Sequence, residues 1–177
     1  MHKFLYYLGL ILSLSSCVSD RDVVSTEQYF DLPLYIENEI VELKKNNVQL
    51  FKKVFTDGDY DSVLITKPDW KKELQIFNNI NINKPAFIGK YSVTQGNAKE
   101  FQETSYQSLD KTLPIKSLTL LIRNDSIKNI SIFKDDHSMF LDNRIWLEYS
   151  SKKSYHIKGY RNLLGVTTNY EVWAVFQ

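Results

Sequence analysis

Asp57-Gly58-Asp59-Tyr60-Asp61 sets carboxylates on alternate residues, the way a calcium-binding loop begins. Such a loop continues with glycine at its sixth position and a bidentate glutamate at its twelfth. Those positions here are Ser62 and Pro68. Asp-Gly is also among the strongest hairpin signals, so the segment reads as a turn. Asp135-Asp136-His137 is where carboxylates adjoin an imidazole, with Asp142 approaching from the next strand. Neighbours in an exposed turn rarely converge on one ion, and solvent leaves nothing to shift a pKa. A solvated loop is expected there, and no metal is assigned. His156 lies in the alternating run Tyr155-His156-Ile157-Lys158 and shares a face with Lys158. It becomes a base only where a carboxylate faces it across the sheet. The patterns G-x-S-x-G, G-x-G-x-x-G, the P-loop and H-E-x-x-H are all absent. The expectation is a protein without catalytic residues or cofactor.

The chain has a single cysteine. Met1-His2-Lys3 is a short basic start, and Phe4–Leu14 is apolar and uncharged, too short for the roughly 20 residues that cross a bilayer. A basic n-region, a short apolar stretch and small residues after it describe a secretory signal. Leu14-Ser15-Ser16-Cys17 resembles a bacterial lipobox. That resemblance implies removal of residues 1–16, acylation of Cys17 and a mature chain that begins at the lipidated cysteine. No free thiol then remains, which removes thiolate catalysis and thiolate metal binding. Several acyl chains on one residue hold a protein stably at a membrane, where a single chain is marginal. Residues 17–28 form the lipidated start and a polar tether, which reaches at most about 35–40 Å when extended. Val18 after the cysteine is not the aspartate that retains lipoproteins at the inner membrane. The expected location is the outer membrane, with the leaflet left open.

Composition sets further limits. Over 177 residues there are 22 Lys+Arg against 21 Asp+Glu, and removing the leader takes away only Lys3, leaving a neutral chain. Phosphate binding needs a local surplus of basic residues, so a nucleic-acid partner is not expected. With 43% hydrophobic and 24% charged residues, the remainder reads as one globular domain over 29–177.

The elements that would position these groups follow from periodicity. Asp31–Lys45 reads as an amphipathic helix with Asp31 as cap, Pro33 in its first turn and Leu32, Ile36, Ile40 and Leu43 on one face. Val48–Thr56 and Tyr60–Thr66 form a hairpin around Asp57-Gly58. A second helix follows, with Thr66 and Asp69 spaced as a capping box and Trp70, Leu74 and Phe77 as its face. From Phe87 onward the period is two. The first run carries Phe87, Gly89, Tyr91 and Val93 and turns at Gln95-Gly96-Asn97. Strands are then expected at 100–108, 115–123, 127–134, 139–150, 154–162 and 166–176. Short polar connections join antiparallel neighbours. The expected class is α+β: a curved antiparallel meander sheet of about seven to nine strands, with two amphipathic helices packed on its concave face.

The lipobox with this helix–strand order resembles small lipoproteins of the Bacteroidota envelope. Asp69-Trp70-Lys71-Lys72-Glu73-Leu74 followed by Asn83-Lys84-Pro85-Ala86 adds to that likeness. The layout is also similar to the half-barrel of periplasmic lipoprotein carriers, an analogy of fold only. The resemblance supplies a location and no catalytic residues. Lys52-Lys53 and Lys71-Lys72 read as solvated faces.

Aromatic residues concentrate in the last third of the chain. Ile145, Leu147 and Tyr149 fall on one strand face and Trp146 on the other. Tyr170, Val172, Ala174 and Phe176 likewise oppose Trp173 and Val175. Apolar character on both faces means that both are covered or that one meets a partner. Trp146, Tyr149, Tyr170 and Trp173 are the candidate binding surface. Two functions follow as expectations: a non-catalytic, membrane-anchored lipoprotein that binds or scaffolds another envelope component, or a carrier holding a lipid or acyl chain between sheet and helices. The carrier predicts an apolar cavity of a few hundred Å³; the scaffold predicts a filled core and an exposed apolar patch near Trp146 or Trp173.

Overall fold

The computed structural model of the chain describes residues 29–177. The leader, Cys17 and the tether lie outside the described residues. Helix α1 covers Leu32–Lys45. The Asp31 carboxylate accepts the Leu34 N–H at 3.0 Å, and Lys44 and Lys45 sit in the last turn, where cations favour the helix dipole. Strands β1 (Leu50–Thr56) and β2 (Asp59–Ile65) form the expected hairpin. Asp57 and Gly58, both at positive φ, make the turn that suits right-twisted strands.

The second helical segment departs from expectation. It is broken at Leu74 into two single turns, α2 (Trp70–Glu73) and α3 (Gln75–Asn78), and a 3-10 turn covers Pro85–Phe87. Asp69, not Thr66, is the cap, its carboxylate accepting from the Lys72 N–H at 3.4 Å. Pro68 therefore stands outside the helix. Trp70, Leu74 and Phe77 are nevertheless all buried.

The remaining strands are β3 (Tyr91–Ala98), β4 (Phe101–Ser108), β5 (Ile115–Arg123), β6 (Ser126–His137), β7 (Leu141–Ser150), β8 (Ser154–Leu163) and β9 (Val166–Phe176). All nine strands form one open sheet in the order β2-β1-β9-β8-β7-β6-β5-β4-β3, and every pairing is antiparallel. The meander holds from β3 to β9, and the β1–β2 hairpin joins at the far side of β9. Two boundaries move. Gln95-Gly96-Asn97 continues β3, pairing with Thr104-Glu103-Gln102, and the chain turns instead at Lys99-Glu100. Asp135-Asp136-His137 is strand, paired with Arg144-Asn143-Asp142.

One sheet face carries the core. Leu50, Ala174, Tyr155, Ile157, Ile145, Leu147, Tyr149, Ile130, Ile132, Leu118 and Leu120 are buried together with Leu32, Ile36, Ile40, Leu43, Trp70, Leu74 and Phe77 of the helices. Strict alternation would put Ile115 and Leu118 on opposite faces. A shift in register between Ile115 and Ser117 lets both face inward, as an extra residue in a ladder does. A second shift, where Leu121 pairs with Asn129 and Ile122 with Ile127, does the same for Ile127 and Ile130.

Several polar groups drawn into this layer are paired, while the Asn78 side-chain oxygen is buried without a hydrogen-bond partner. Glu39 of α1 accepts from the Tyr149 hydroxyl at 2.9 Å, from Ser151 Oγ at 3.2 Å and from the Lys152 N–H at 3.1 Å. Glu73 of α2 accepts from the Tyr155 hydroxyl at 2.8 Å and from Lys52 at 2.6 Å. Lys52 is thus a half-buried ion-pair partner and not part of a solvated face. Asn83 accepts from the Tyr29 N–H at 2.8 Å and donates to the Tyr29 carbonyl at 3.2 Å, pinning the start of the domain to the segment after α3. Each of these groups would be costly to bury without its partner.

Candidate functional site

Period-two alternation sends one set of side chains from β6, β7, β8, β9 and β1 to the sheet face opposite the core. Trp146, Lys158, Glu171 and Phe55 lie in one row across β7, β8, β9 and β1. Glu148, His156, Trp173 and Lys53 form the next row. Trp146 is 43% exposed and Trp173 46%. Phe55 and Tyr60 are exposed beside them, with ring centroids 5.0 Å apart.

The tryptophans are held by their neighbours. Phe133 stacks on Trp146 with centroids 5.1 Å apart and rings 21° from parallel. His156 stacks on Trp173 at 3.6 Å and 15°. His156 Nε2 lies 2.7 Å from Glu171 Oε1, so the carboxylate that a histidine base requires does face it, from the neighbouring strand. The imidazole is fixed on one face by indole and at one nitrogen by carboxylate. The Arg144 guanidinium lies over Tyr160, 5.3 Å from the ring centroid. Between these groups runs a cleft of about 490 Å³, lined by Phe55, Trp146, Lys158, Tyr160, Asn169 and Glu171 among others. Flat aromatic surface with charged and amide groups at its margins can hold a ligand that offers both apolar area and hydrogen-bonding groups.

The proposed quartet does not form one surface. Tyr149 is buried in the core, with Phe77 edge-on at 5.6 Å. Burial raises its pKa, and the adjoining Glu39 raises it further, so the phenol stays protonated and donates. Tyr155 is raised likewise, by burial and then by Glu73. Tyr170 also lies on the core face, half-buried over Gly159, where a Cβ would stand 2.0 Å from its ring. Only Trp146 and Trp173 face away from the core, although Tyr170 also lines the cleft beside Trp146. The parity that separates these pairs is visible in the sequence; which parity meets the helices is not.

A second group lies on the open side, at the β6–β7 hairpin. His137 Nε2 is 2.6 Å from Asp135 Oδ1, and its Nδ1 is 3.2 Å from Asp142 Oδ1. Arg144 donates to Asp142 Oδ2 at 2.8 Å. Continuation of β6 through His137 puts Asp135 and His137 two residues apart on one face, with Asp142 directly opposite His137. The acidic run 57–61 shows no such convergence: Asp57 Oδ1 accepts from the Asn169 N–H at 2.7 Å and Asp61 from Ser62 at 2.7 Å, as turn and strand residues. No helix among the described residues is long and apolar enough to cross a membrane.

Comparison with protein-family models, with curated proteins and with solved structures finds no match to this chain.

Proposed function

We propose that this is a non-catalytic lipoprotein, held at the outer membrane by acyl chains on Cys17, whose open sheet face binds another component of the envelope. In this reading the helices lie on the concave side of the sheet as its permanent cover, and the other side is the working surface. The observation that supports it most is the contrast between faces. Ile36, Leu74 and Phe77 are sealed completely against one face, while Trp146, Trp173, Phe55 and Tyr60 stand uncovered on the other. Exposed aromatic area of this kind, braced by stacking and fixed on strands, resembles the rigid anchors of binding sites.

Photo-crosslinking in cells tests it. A benzophenone side chain in place of Trp146 or Trp173 is expected to give one discrete adduct with an envelope component. The same group at Val41, exposed on the outer side of α1, is expected to give none. Equal adducts from all positions, or none from the tryptophan sites, would reject the open face as the binding surface.

A carrier function is the second reading, and one observation favours it. A cavity of about 310 Å³ lies between α3, the 3-10 turn and the sheet, with Ile76, Ile80, Phe87, Ile145 and Leu147 in its lining beside Lys84 and Lys134. Asp136 pairs with Lys134 in the same lining, which leaves Lys84 as the cation beside the apolar walls to meet the anionic head of an acyl chain. Native mass spectrometry of the chain purified from membranes is expected, on this reading, to retain one lipid that Ile145→Asp expels. A bare mass would leave the open face as the reading to pursue.

A further inference from the structure

We propose that Asp135, His137 and Asp142 form a binding site for one divalent transition-metal ion of the zinc class, with water completing the coordination. One ligand atom from each of the three lies within 4.8 Å of the others. Four-coordinate zinc with bonds of about 2.0–2.1 Å needs ligand atoms roughly 3.4 Å apart. The observed 2.6 and 3.2 Å run to different nitrogens of the imidazole, so one nitrogen takes the ion and the side chains turn to bring both carboxylates to it.

The oxygens themselves point to a ligand. Asp135 Oδ1 and Asp142 Oδ1 are both closed off from solvent and have no hydrogen-bond partner, with Arg144 Nε 3.9 Å from the first as a distant counter-charge. The His137 nitrogens approach closely without the direction that a hydrogen bond requires. Shielded carboxylate oxygens left in this state are costly, and a cation between them removes the cost.

The surroundings complete the case. Arg144 takes up Asp142 Oδ2 and leaves Oδ1 directed inward, as groups behind metal ligands commonly do. A cleft of about 300 Å³ adjoins His137 and Asp142, bounded by Ser138, Met139 and Asn162 among others, and gives water a place at the open position. Two paired strands supply all three ligands, so the backbone positions are fixed before the ion arrives. The charge also balances in favour of a dication, with two carboxylates against the single guanidinium. The donor set selects among cations. One imidazole and two carboxylates suit zinc and its neighbours, whereas calcium demands six to eight oxygens.

Zinc chloride titrated into the mature, acylated chain in detergent, which carries no free thiolate to compete, is expected to bind with one saturable equivalent by calorimetry. Asp135→Asn, His137→Gln and Asp142→Asn are each expected to weaken binding at least about tenfold. His156→Gln, at the other imidazole of the open face, is expected to leave it unchanged. Cobalt(II) added to the chain with these three residues intact is expected to give the intense visible absorption of a low-coordinate site, a readout that does not depend on the variants folding. No saturable equivalent, binding retained in all three ligand variants, loss in His156→Gln, or a cobalt spectrum like that of the aqueous ion would each overturn the proposal.

Discussion

Raising the pH from about 10 to about 12 is expected to unfold the domain in one cooperative step. Tyr91, Tyr106, Tyr149 and Tyr155 are all buried. Burial pushes the Tyr91 phenol up to about 12 and raises Tyr106. Tyr149 and Tyr155 are raised by burial and by the carboxylates they donate to. In the unfolded chain these phenols ionise near 10. Above that pH the unfolded state holds fewer protons than the folded one, so stability is fully present below about 10 and falls as pH rises. Each phenol that stays protonated over this range contributes a slope of about 1.4 kcal/mol per pH unit, so Tyr91, Tyr149 and Tyr155 together give about 4, with Tyr106 adding in the same direction. A typical domain has roughly 5–15 kcal/mol in all, so about two pH units suffice. Phenolate absorbance and circular dichroism recorded on one titration check this. The buried phenols should ionise together with loss of the dichroism signal, and ionisation near pH 10 with the signal intact would contradict it.

Phe77→Ala is expected to cost about 3–5 kcal/mol of stability and to lower the melting temperature by about 10–15 °C. Phe77 is fully buried, with its ring edge-on to Tyr149 at 5.6 Å and to Tyr155 at 5.9 Å. The hole left by its removal opens between the two tyrosines whose hydroxyls reach Glu39 and Glu73. Collapse into that space would pull at least one hydroxyl off its carboxylate, so relaxation is limited and the cost belongs at the upper end of the range. Val41→Ala on the exposed side of α1 should change stability by no more than about 0.5 kcal/mol. Urea denaturation of both variants makes the comparison.

Local signals in the sequence were sufficient for much of this architecture. Asp31 and the Leu32, Ile36, Ile40, Leu43 face place α1 to within a residue, and Asp57-Gly58 places the first hairpin. The errors fall where polarity misleads. Gln95-Gly96-Asn97 has the composition of a turn yet continues β3 at the edge of the sheet, where no apolar alternation is needed. Asp135 to His137 also reads as a turn because every residue is polar. In the structure the opposing strand pairs each of them, and that pairing converts a run of charges into a ligand-like cluster. The His156–Glu171 contact depends on the register of β8 against β9, which short connections imply but do not fix. Glu39 and Glu73 looked like ordinary charges of helical segments; only long-range packing brings each beneath a tyrosine.

The pairing of β1 with β9 imposes an order in time. Leu50 lies opposite Phe176, and Gln49 and Gln177 exchange both backbone hydrogen bonds. As the chain emerges from its N-terminus, the strands from β3 onward can zip up one after another. The first hairpin has nowhere to dock until the last eleven-residue strand exists. Until then α1 holds Leu32, Ile36, Ile40 and Leu43 without the complete surface that later seals them. Closing so long a loop is slow and leaves apolar segments open to association meanwhile. Strand β9 is therefore the latch for the first hairpin, and a chain cut short before β9 leaves that hairpin without its place in the sheet.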